Sequence, residues 1–310
     1  MHRSGAARCR GLPEFALPIP FAIVGPGRVG AALAERWQAA GLRCVGAHGR
    51  DAGRAAAFLA TVGAGRPLAA AELRLAAVVA LTVPDAVLPD LCASLAAQGA
   101  VRSCALWLHT SGALGLEPLA AAAAQGARIG ALHPLAPIPD RSAGARSLQG
   151  RYALLEGQPS SLGLLRTLAE RAGLRPVEAS GPVDRDLYHA ACALAANGTT
   201  ALVGSAAALL ERAAGLDPAR AAALGGDLAG AACALVAERG AAAALSGPVV
   251  RGEADLVARH LAALRARGPL AAAATYTVLM REALRLARER GLAAAAAARI
   301  EAVLDGEALG

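Results

Sequence analysis

The stretch Phe21-Ala22-Ile23-Val24-Gly25-Pro26-Gly27-Arg28-Val29-Gly30 decides the fold. Four apolar residues run into a Gly-Xaa-Gly-Xaa-Xaa-Gly pattern, and an alanine-rich helical pattern follows over 29–40. Strand, glycine turn, helix is the context that a dinucleotide fingerprint requires. In that reading Gly25 permits the sharp turn, Gly27 lets the backbone approach a pyrophosphate, and Gly30 lets helix pack close to strand. Arg28 and Val29 open the helix, whose free N–H groups and positive dipole end face the phosphates. With 35 glycines in 310 residues, three fixed glycines recur by chance roughly 0.4 times, so the context carries the reading and the pattern alone does not.

Working outward, Gly41 ends the helix and 43–47 reads as a second strand. It finishes at His48-Gly49-Arg50-Asp51, where a dinucleotide fold reads the adenosine ribose. An acid there accepts from the 2′-hydroxyl, whereas an arginine accommodates a 2′-phosphate. Arg50 comes first, with Arg54 one helical turn on, which favours NADP; Asp51 turned to the ribose would select NAD. Residues 55–71 read as helix with a weak strand near 61–62. The apolar run 76–83 reads as a strand buried on both faces, ending in Thr82-Val83-Pro84-Asp85, with Thr82, Val83 and Pro84 expected beside the cofactor. Strands at 104–108 and 127–132 end in His109-Thr110-Ser111-Gly112 and His133-Pro134. Polar residues thus gather at carboxyl ends of strands, where open α/β sheets bind ligands. Two more strands, 152–155 and 175–178, complete a doubly wound α/β sheet. Beyond Gly181 only helices are expected, at 183–212, 218–239, 255–267 and 269–290, punctuated by glycines. The expected organisation is a disordered tail over 1–17, a Rossmann-like domain over 18–180 and an all-α domain over 181–310, with a substrate cleft between the two domains.

Lysine is absent, so all 31 basic residues are arginine, and Asn197 is the one asparagine. Such a bias explains the net charge of +7 better than nucleic-acid binding, since the arginines are scattered without a basic run or interleaved aromatics. The six cysteines are isolated, with no Cys-Xaa-Xaa-Cys pair, which indicates neither zinc nor a redox dithiol and points to thiols in a reducing, cytoplasmic setting. Residues 187–210 carry no charge and are long enough to cross a bilayer. Their polar residues and alanine content favour the buried helix of a soluble domain instead.

A family is recognisable at this point. Gly25–Gly30, Thr82-Val83-Pro84-Asp85, His109-Thr110-Ser111-Gly112, His133-Pro134-Leu135, Tyr188-His189-Ala190-Ala191, Asn197, Ser246-Gly247-Pro248-Val249-Val250-Arg251-Gly252-Glu253 and His260-Leu261 jointly resemble proteins that join a Rossmann-like domain to the C-terminal domain of unknown function 2520. The chain resembles, more distantly, pyrroline-5-carboxylate reductase, ketopantoate reductase and 6-phosphogluconate-dehydrogenase-like enzymes. The resemblance implies a nicotinamide cofactor, a small-molecule substrate and a homodimer built through the helical domain; it supplies no substrate. The chain departs from the family in having Arg185 where a lysine is common before the Tyr-His pair, and Leu256 where a threonine is expected. A lysine general acid is excluded, and Arg185 cannot replace it because guanidinium stays charged.

Hydride transfer to C=O or C=N needs a held nicotinamide, a donor polarising the acceptor and a proton source. Histidine is the natural source near neutral pH. The candidate catalytic residues are His109, Ser111, His189 and Asn197; the candidate substrate-binding residues are His133 and Arg251. Each has a structural alternative. Ser111 could cap a helix, and His189 could be a satisfied core histidine. His133 could only shape a loop before its proline. Asn197 could satisfy a buried backbone group, and Arg251 could pair with Glu253 rather than with a substrate carboxylate. Tyr188 reads as core. No nucleophile elbow and no metal-ligand spacing is present. Two functions follow: an NADP-dependent oxidoreductase acting on a small keto or imino acid, or a non-catalytic dinucleotide-binding protein acting through its helical domain.

Overall fold

The computed structural model describes residues 18–306, so the tail expected over 1–17 lies outside the described residues. The glycine stretch forms as expected: strand β1 (Pro20–Val24) runs into helix α1 (Arg28–Ala39). There follow β2 (Arg43–His48), α2 (Ala52–Val62), the two-residue β3 (Arg66–Pro67), β4 (Val78–Leu81), α3 (Leu88–Ala97), β5 (Leu106–His109), α4 (Ala120–Ala124) and β6 (Arg128–Pro134). Beyond these lie α5 (Arg141–Leu148), β7 (Tyr152–Gly157), α6 (Pro159–Arg171), β8 (Arg175–Glu178) and α7 (Arg185–Ala193). The eight strands make one sheet in the order β3-β2-β1-β4-β5-β6-β7-β8. Chain order reverses on either side of β1, and that switch point is where open α/β sheets bind ligands. β1, β4 and β5 are apolar and buried along nearly their whole length, as strands covered on both faces must be. One face packs under α1, α2 and α6 through Phe21, Ile23, Trp37, Phe58 and Leu165. The other packs under α3 and α4 through Val79, Leu81, Leu88, Leu95 and Trp107.

Two features depart from the sequence reading. Strand β7 pairs antiparallel with β6, His133 opposite Leu154, before β8 returns to parallel pairing with β7. The helix expected over 55–71 stops at Val62, where Gly63 takes φ +72° and caps it; a 3-10 turn at Ala70–Leu75 follows β3. Alanine tolerates both helix types, and the positive-φ glycine decides between them.

The chain divides into two compact units between Cys192 and Ala193, later than the boundary expected at 180. The second unit is helical. A π-helical turn at Leu194–Gly198 leads into α8 (Thr199–Ala214), followed by α9 (Pro218–Arg239), the short α10 (Ala241–Ala244), α11 (Ala254–Arg267), α12 (Ala272–Glu289) and α13 (Ala294–Asp305). Its core is Val249, Val257, Leu261, Leu284, Ile300 and Leu304, from the loop before α11 and from α11, α12 and α13. The sequence reading expected the apolar stretch 187–210 to be a buried helix. In this chain it is not: in the continuous helix Arg185–Ala214 only 6% of the most apolar 18-residue window is buried, and in α9 11%. Leu202, Leu224, Leu228 and Val236 stand exposed, because the core of this unit forms on the later helices. Cys44, Cys92, Cys192 and Cys233 are free thiols, the first two buried, as a reducing setting implies, whereas Cys104 is disulfide-bonded.

Candidate functional site

The glycine turn is built by contacts that no larger residue could make. Gly25 takes φ +78°, and a Cβ there would stand 2.3 Å from Val83 Cγ1. A Cβ on Gly30 would stand 2.4 Å from Thr82 Oγ1 and 2.9 Å from Ile23 Cγ2, so α1 crosses the sheet at backbone contact. Gly27 differs: a Cβ there meets nothing nearer than 3.8 Å. Its small size leaves the entry to α1 open from outside, and no side chain caps that helix. The first-turn N–H groups are therefore left for an anion. Thr82, just past β4, locks the turn. Its N–H donates to Val24 O at 2.8 Å and its hydroxyl donates to Gly25 O at 2.7 Å. The Arg28 guanidinium turns away to Pro139 O at 2.8 Å, and Val29 packs against the core. These two residues thus present backbone rather than side chain to the turn.

A hollow of about 780 Å³ opens beside the turn, lined by Gly25, Pro26, His48, Gly49, Arg50, Asp51, Arg54, Thr82, Val83 and Pro84. At its β2 end stand both the acid and the arginines. Asp51 is the N-cap of α2, its Oδ1 accepting from Gly53 N at 2.8 Å and Arg54 N at 3.1 Å. A carboxylate that satisfies two first-turn N–H groups is held by the helix. Arg50 and Arg54 remain exposed, with no ion-pair partner among the described residues. His48 Nδ1 donates to Leu68 O at 2.9 Å, fixing the strand end. A glycine cradle and an uncapped helix start fit a dinucleotide.

Further along the same edge, His109 ends β5 fully buried. Its Nδ1 accepts from Ser111 N at 3.2 Å, so the proton sits on Nε2, which donates to Gly115 O at 2.6 Å. Burial, foremost, pushes its pKa below the ordinary histidine range. Both ring nitrogens are thus committed to the backbone, and His109 holds the loop that follows. Ser111 Oγ accepts from Ala113 N and Leu114 N at 3.1 and 3.2 Å, a turn within the loop rather than a helix cap, since the next helical turn starts at Glu117 without a side-chain cap; its own hydrogen is left to donate. His133, on β6, is half-buried, and its Nδ1 lies 2.7 Å from Tyr188 Oη. Burial, then the nearby His189 and Arg185, push the His133 pKa down to about 4. Gly112 faces this ring: a Cβ there would stand 2.7 Å from His133 Cε1.

Tyr188, read from the sequence as core with its hydroxyl directed to a partner, is half-buried and has that partner in His133. Its partner lies 55 positions upstream, and the signal available was its place on the helix that follows the last strand. Arg185, on α7 with it, forms an ion pair with Glu156 of β7, with only 11% of the arginine side chain exposed. Its guanidinium carbon lies 6.0 Å from the Tyr188 ring centroid. His189 is exposed. In the helical unit, Asn197 is exposed within the π-helical turn, a local form that recurs at functional sites. Thr199 and Thr200 take the carbonyls of Ala195 and Ala196 there, at 2.7 and 3.0 Å. Arg251 is held fork to fork by Glu253, at 2.8 and 2.9 Å, so its bidentate face is already filled. The site residues named from sequence therefore divide: His109, Ser111, His133 and His189 lie in the sheet unit, Asn197 and Arg251 in the helical one.

Residues 16–134 match the model of the Rossmann-like domain, and residues 151–283 match the domain of unknown function DUF2520. The first match ends with β6; the second begins where the chain turns antiparallel. Among solved structures the chain is similar to a Bacteroides fragilis protein provisionally assigned as an NADP oxidoreductase, at 21% identity and TM-score 0.64, over 85% of this chain and 97% of that one. It is similar also to an imine reductase from Pseudomonas sp., at 20% identity and TM-score 0.61, over 87% and 95%. A third is a pyrroline-5-carboxylate reductase from Coxiella burnetii, at 14% identity and TM-score 0.58, over 94% and 100%. At these identities the likeness establishes the fold. No curated protein matches the sequence.

Proposed function

We propose that this chain, a Rossmann-like domain joined to a DUF2520 domain, is an NADP-dependent oxidoreductase that reduces the C=O or C=N bond of a small keto or imino acid. The observation that carries the reading is the capping role of Asp51. With that carboxylate held by α2, Arg50 and Arg54 are the groups left at the adenosine end of the hollow, and arginine is the residue that accommodates a 2′-phosphate. Gly25, Gly27, Gly30 and the N–H groups of Arg28 and Val29 would hold the pyrophosphate, while Thr82, Val83 and Pro84 would line the path toward the β5 and β6 ends. When bound, the reduced cofactor supplies hydride. The chain's part is to hold the acceptor, exclude water and deliver one proton. Imine and pyrroline-5-carboxylate reduction, the activities of two structural neighbours, belong to this chemical class.

Calorimetric titration tests the reading. NADPH is expected to bind at least about tenfold tighter than NADH, a difference of about 1.4 kcal/mol. Arg50→Ala with Arg54→Ala should erase the preference by weakening NADPH alone. Equal affinity for both cofactors in the unaltered protein, or no binding of either, sinks the assignment. The second reading, a dinucleotide-binding protein without turnover, draws on the full commitment of His109 to backbone atoms. It predicts binding without NADPH oxidation. We further infer that the exposed apolar faces of α8 and α9 are covered by a second copy of the chain, because contiguous uncovered apolar surface marks an interaction site. Light scattering at micromolar concentration should return the dimer mass.

A further inference from the structure

The proposed reduction needs a proton donor, and the histidine that sequence favours has none free. His133 and Tyr188 form the alternative. The imidazole Nδ1 and the phenolic oxygen lie 2.7 Å apart, and the rings meet edge to face with centroids 5.6 Å apart and planes at 80°. Backbone geometry holds the pair from two sides. His133 is fixed in β6 between β5 and β7, and Gly112 closes against its ring, leaving no room for a side chain. Tyr188 rises from α7 with Arg185 across its ring face and Cys192 one turn on.

We infer that Tyr188 is the catalytic proton donor of this reductase and that His133 is its positioning and resupplying partner; the inference rests on the oxidoreductase reading above. In the donating state His133 carries its proton on Nδ1 and donates it to the Tyr188 oxygen, which leaves the phenolic hydrogen to the Cys192 sulfur or, when one is bound, to substrate. As hydride from the reduced dinucleotide reaches the acceptor carbon, the Tyr188 O–H bond breaks and its proton forms the new N–H or O–H bond. The phenolate takes the Nδ1 proton while Nε2 takes one from water. Exchange with solvent resets the tautomer, and each turnover consumes one hydride and one solvent proton. The protonation states agree with this division of labour. Burial, then Cys192, raises the Tyr188 pKa above that of free phenol, so the donor stays protonated through neutral pH. The groups facing His133 are His189 and Arg185 of α7, Asp85 after β4 and His109 of β5; burial with His189, Arg185 and His109 keeps the ring neutral against the opposing pull of the Asp85 carboxylate.

The test uses the full chain, NADPH and four probes: 2-methyl-1-pyrroline, 1-pyrroline-2-carboxylate, pyruvate and 2-oxobutyrate. Tyr188→Phe should lower kcat by on the order of 10²–10³-fold, the span of general-acid contributions, with the NADPH dissociation constant within about twofold. His133→Ala should lower kcat less, by about tenfold, and added imidazole should restore part of it, which a purely packing role would not allow. The inference is overturned if Tyr188→Phe keeps kcat within about threefold of the unaltered protein, if it folds with an unchanged melt yet loses NADPH binding, or if His189→Ala alone produces the large loss. Failure of the oxidoreductase reading is a different result: the unaltered protein binds NADPH but oxidises it with none of the four probes, and the donor assignment falls with it.

Discussion

The molecule contains two histidine–tyrosine pairs, and they differ in what surrounds them. In the sheet unit His133 and Tyr188 meet at 2.7 Å, with ring centroids 5.6 Å apart. In the helical unit His260 of α11 and Tyr276 of α12 meet at 2.9 Å, with centroids 5.9 Å apart and planes at 87°. As contacts they are near copies. The first stands at the carboxyl end of a central strand, beside a glycine loop, with Arg185, His189 and Asp85 acting on it. The second lines an apolar hollow of about 860 Å³ with Leu209, Leu264, Met280 and Leu286 as neighbours. A hydrogen bond between imidazole and phenol therefore does not announce chemistry. Position at the carboxyl ends of the strands, beside the glycine loop, separates a proton-handling pair from one that satisfies two polar tips in a largely apolar hollow.

The largest expected effect breaks or upholds that contrast directly. Tyr188→Phe should cost on the order of 10²-fold or more in kcat, whereas Tyr276→Phe should leave kcat unchanged and cost about 1 kcal/mol in denaturant unfolding, the usual worth of one hydrogen bond. Equal kinetic losses at both sites would erase the distinction. Acid stability sharpens it next. His133 is held neutral in the fold with its pKa near 4, below the value of about 6.5 of an unfolded histidine. The unfolded chain thus binds the extra proton first as pH falls, so stability drops between about pH 6.5 and 4, by up to about 3 kcal/mol from this residue. Urea titrations across that window should show the drop shrink in His133→Asn.

A similar contrast exists inside the glycine motif. Gly30→Ala would place a methyl 2.4 Å from Thr82 Oγ1 and should cost about 1–3 kcal/mol of stability, as overpacking does. Gly27→Ala, with 3.8 Å to spare, should melt like the unaltered chain yet bind NADPH at least about tenfold more weakly, as the methyl occupies the approach to the pyrophosphate. A destabilised Gly27→Ala with full affinity would reverse the two roles. The smallest effect concerns Asp51→Ala, which should lose about 1 kcal/mol as a missing N-cap does without a fall in NADPH affinity. A selective loss of NADH binding would return the residue to the ribose.

Much of the fold was legible because it rests on period and punctuation. The βα alternation, the glycine turn, β8 at Arg175–Glu178 and α9 at Pro218–Arg239 follow from apolar runs bounded by Gly and Pro. The antiparallel direction of β7 was not, since a strand of this pattern reads the same either way and its direction is set by how α5 returns the chain. Nor was α13: its start, Ala294–Ala298, has no apolar periodicity to read. In the site, the residue types at the strand ends were visible, but the commitment of His109 to two backbone atoms depends on a loop closing back over two to six positions. Tyr188 looked like core because only the folded sheet brings His133 beside it.

The lock that Thr82 places on Gly25 and Val24 has a kinetic consequence. A loop already held in its working shape has little freedom left to lose, so the entropy of ordering it falls on folding rather than on ligand capture. No rare open form need be awaited, and the observed association rate should rise linearly with dinucleotide concentration as a single exponential.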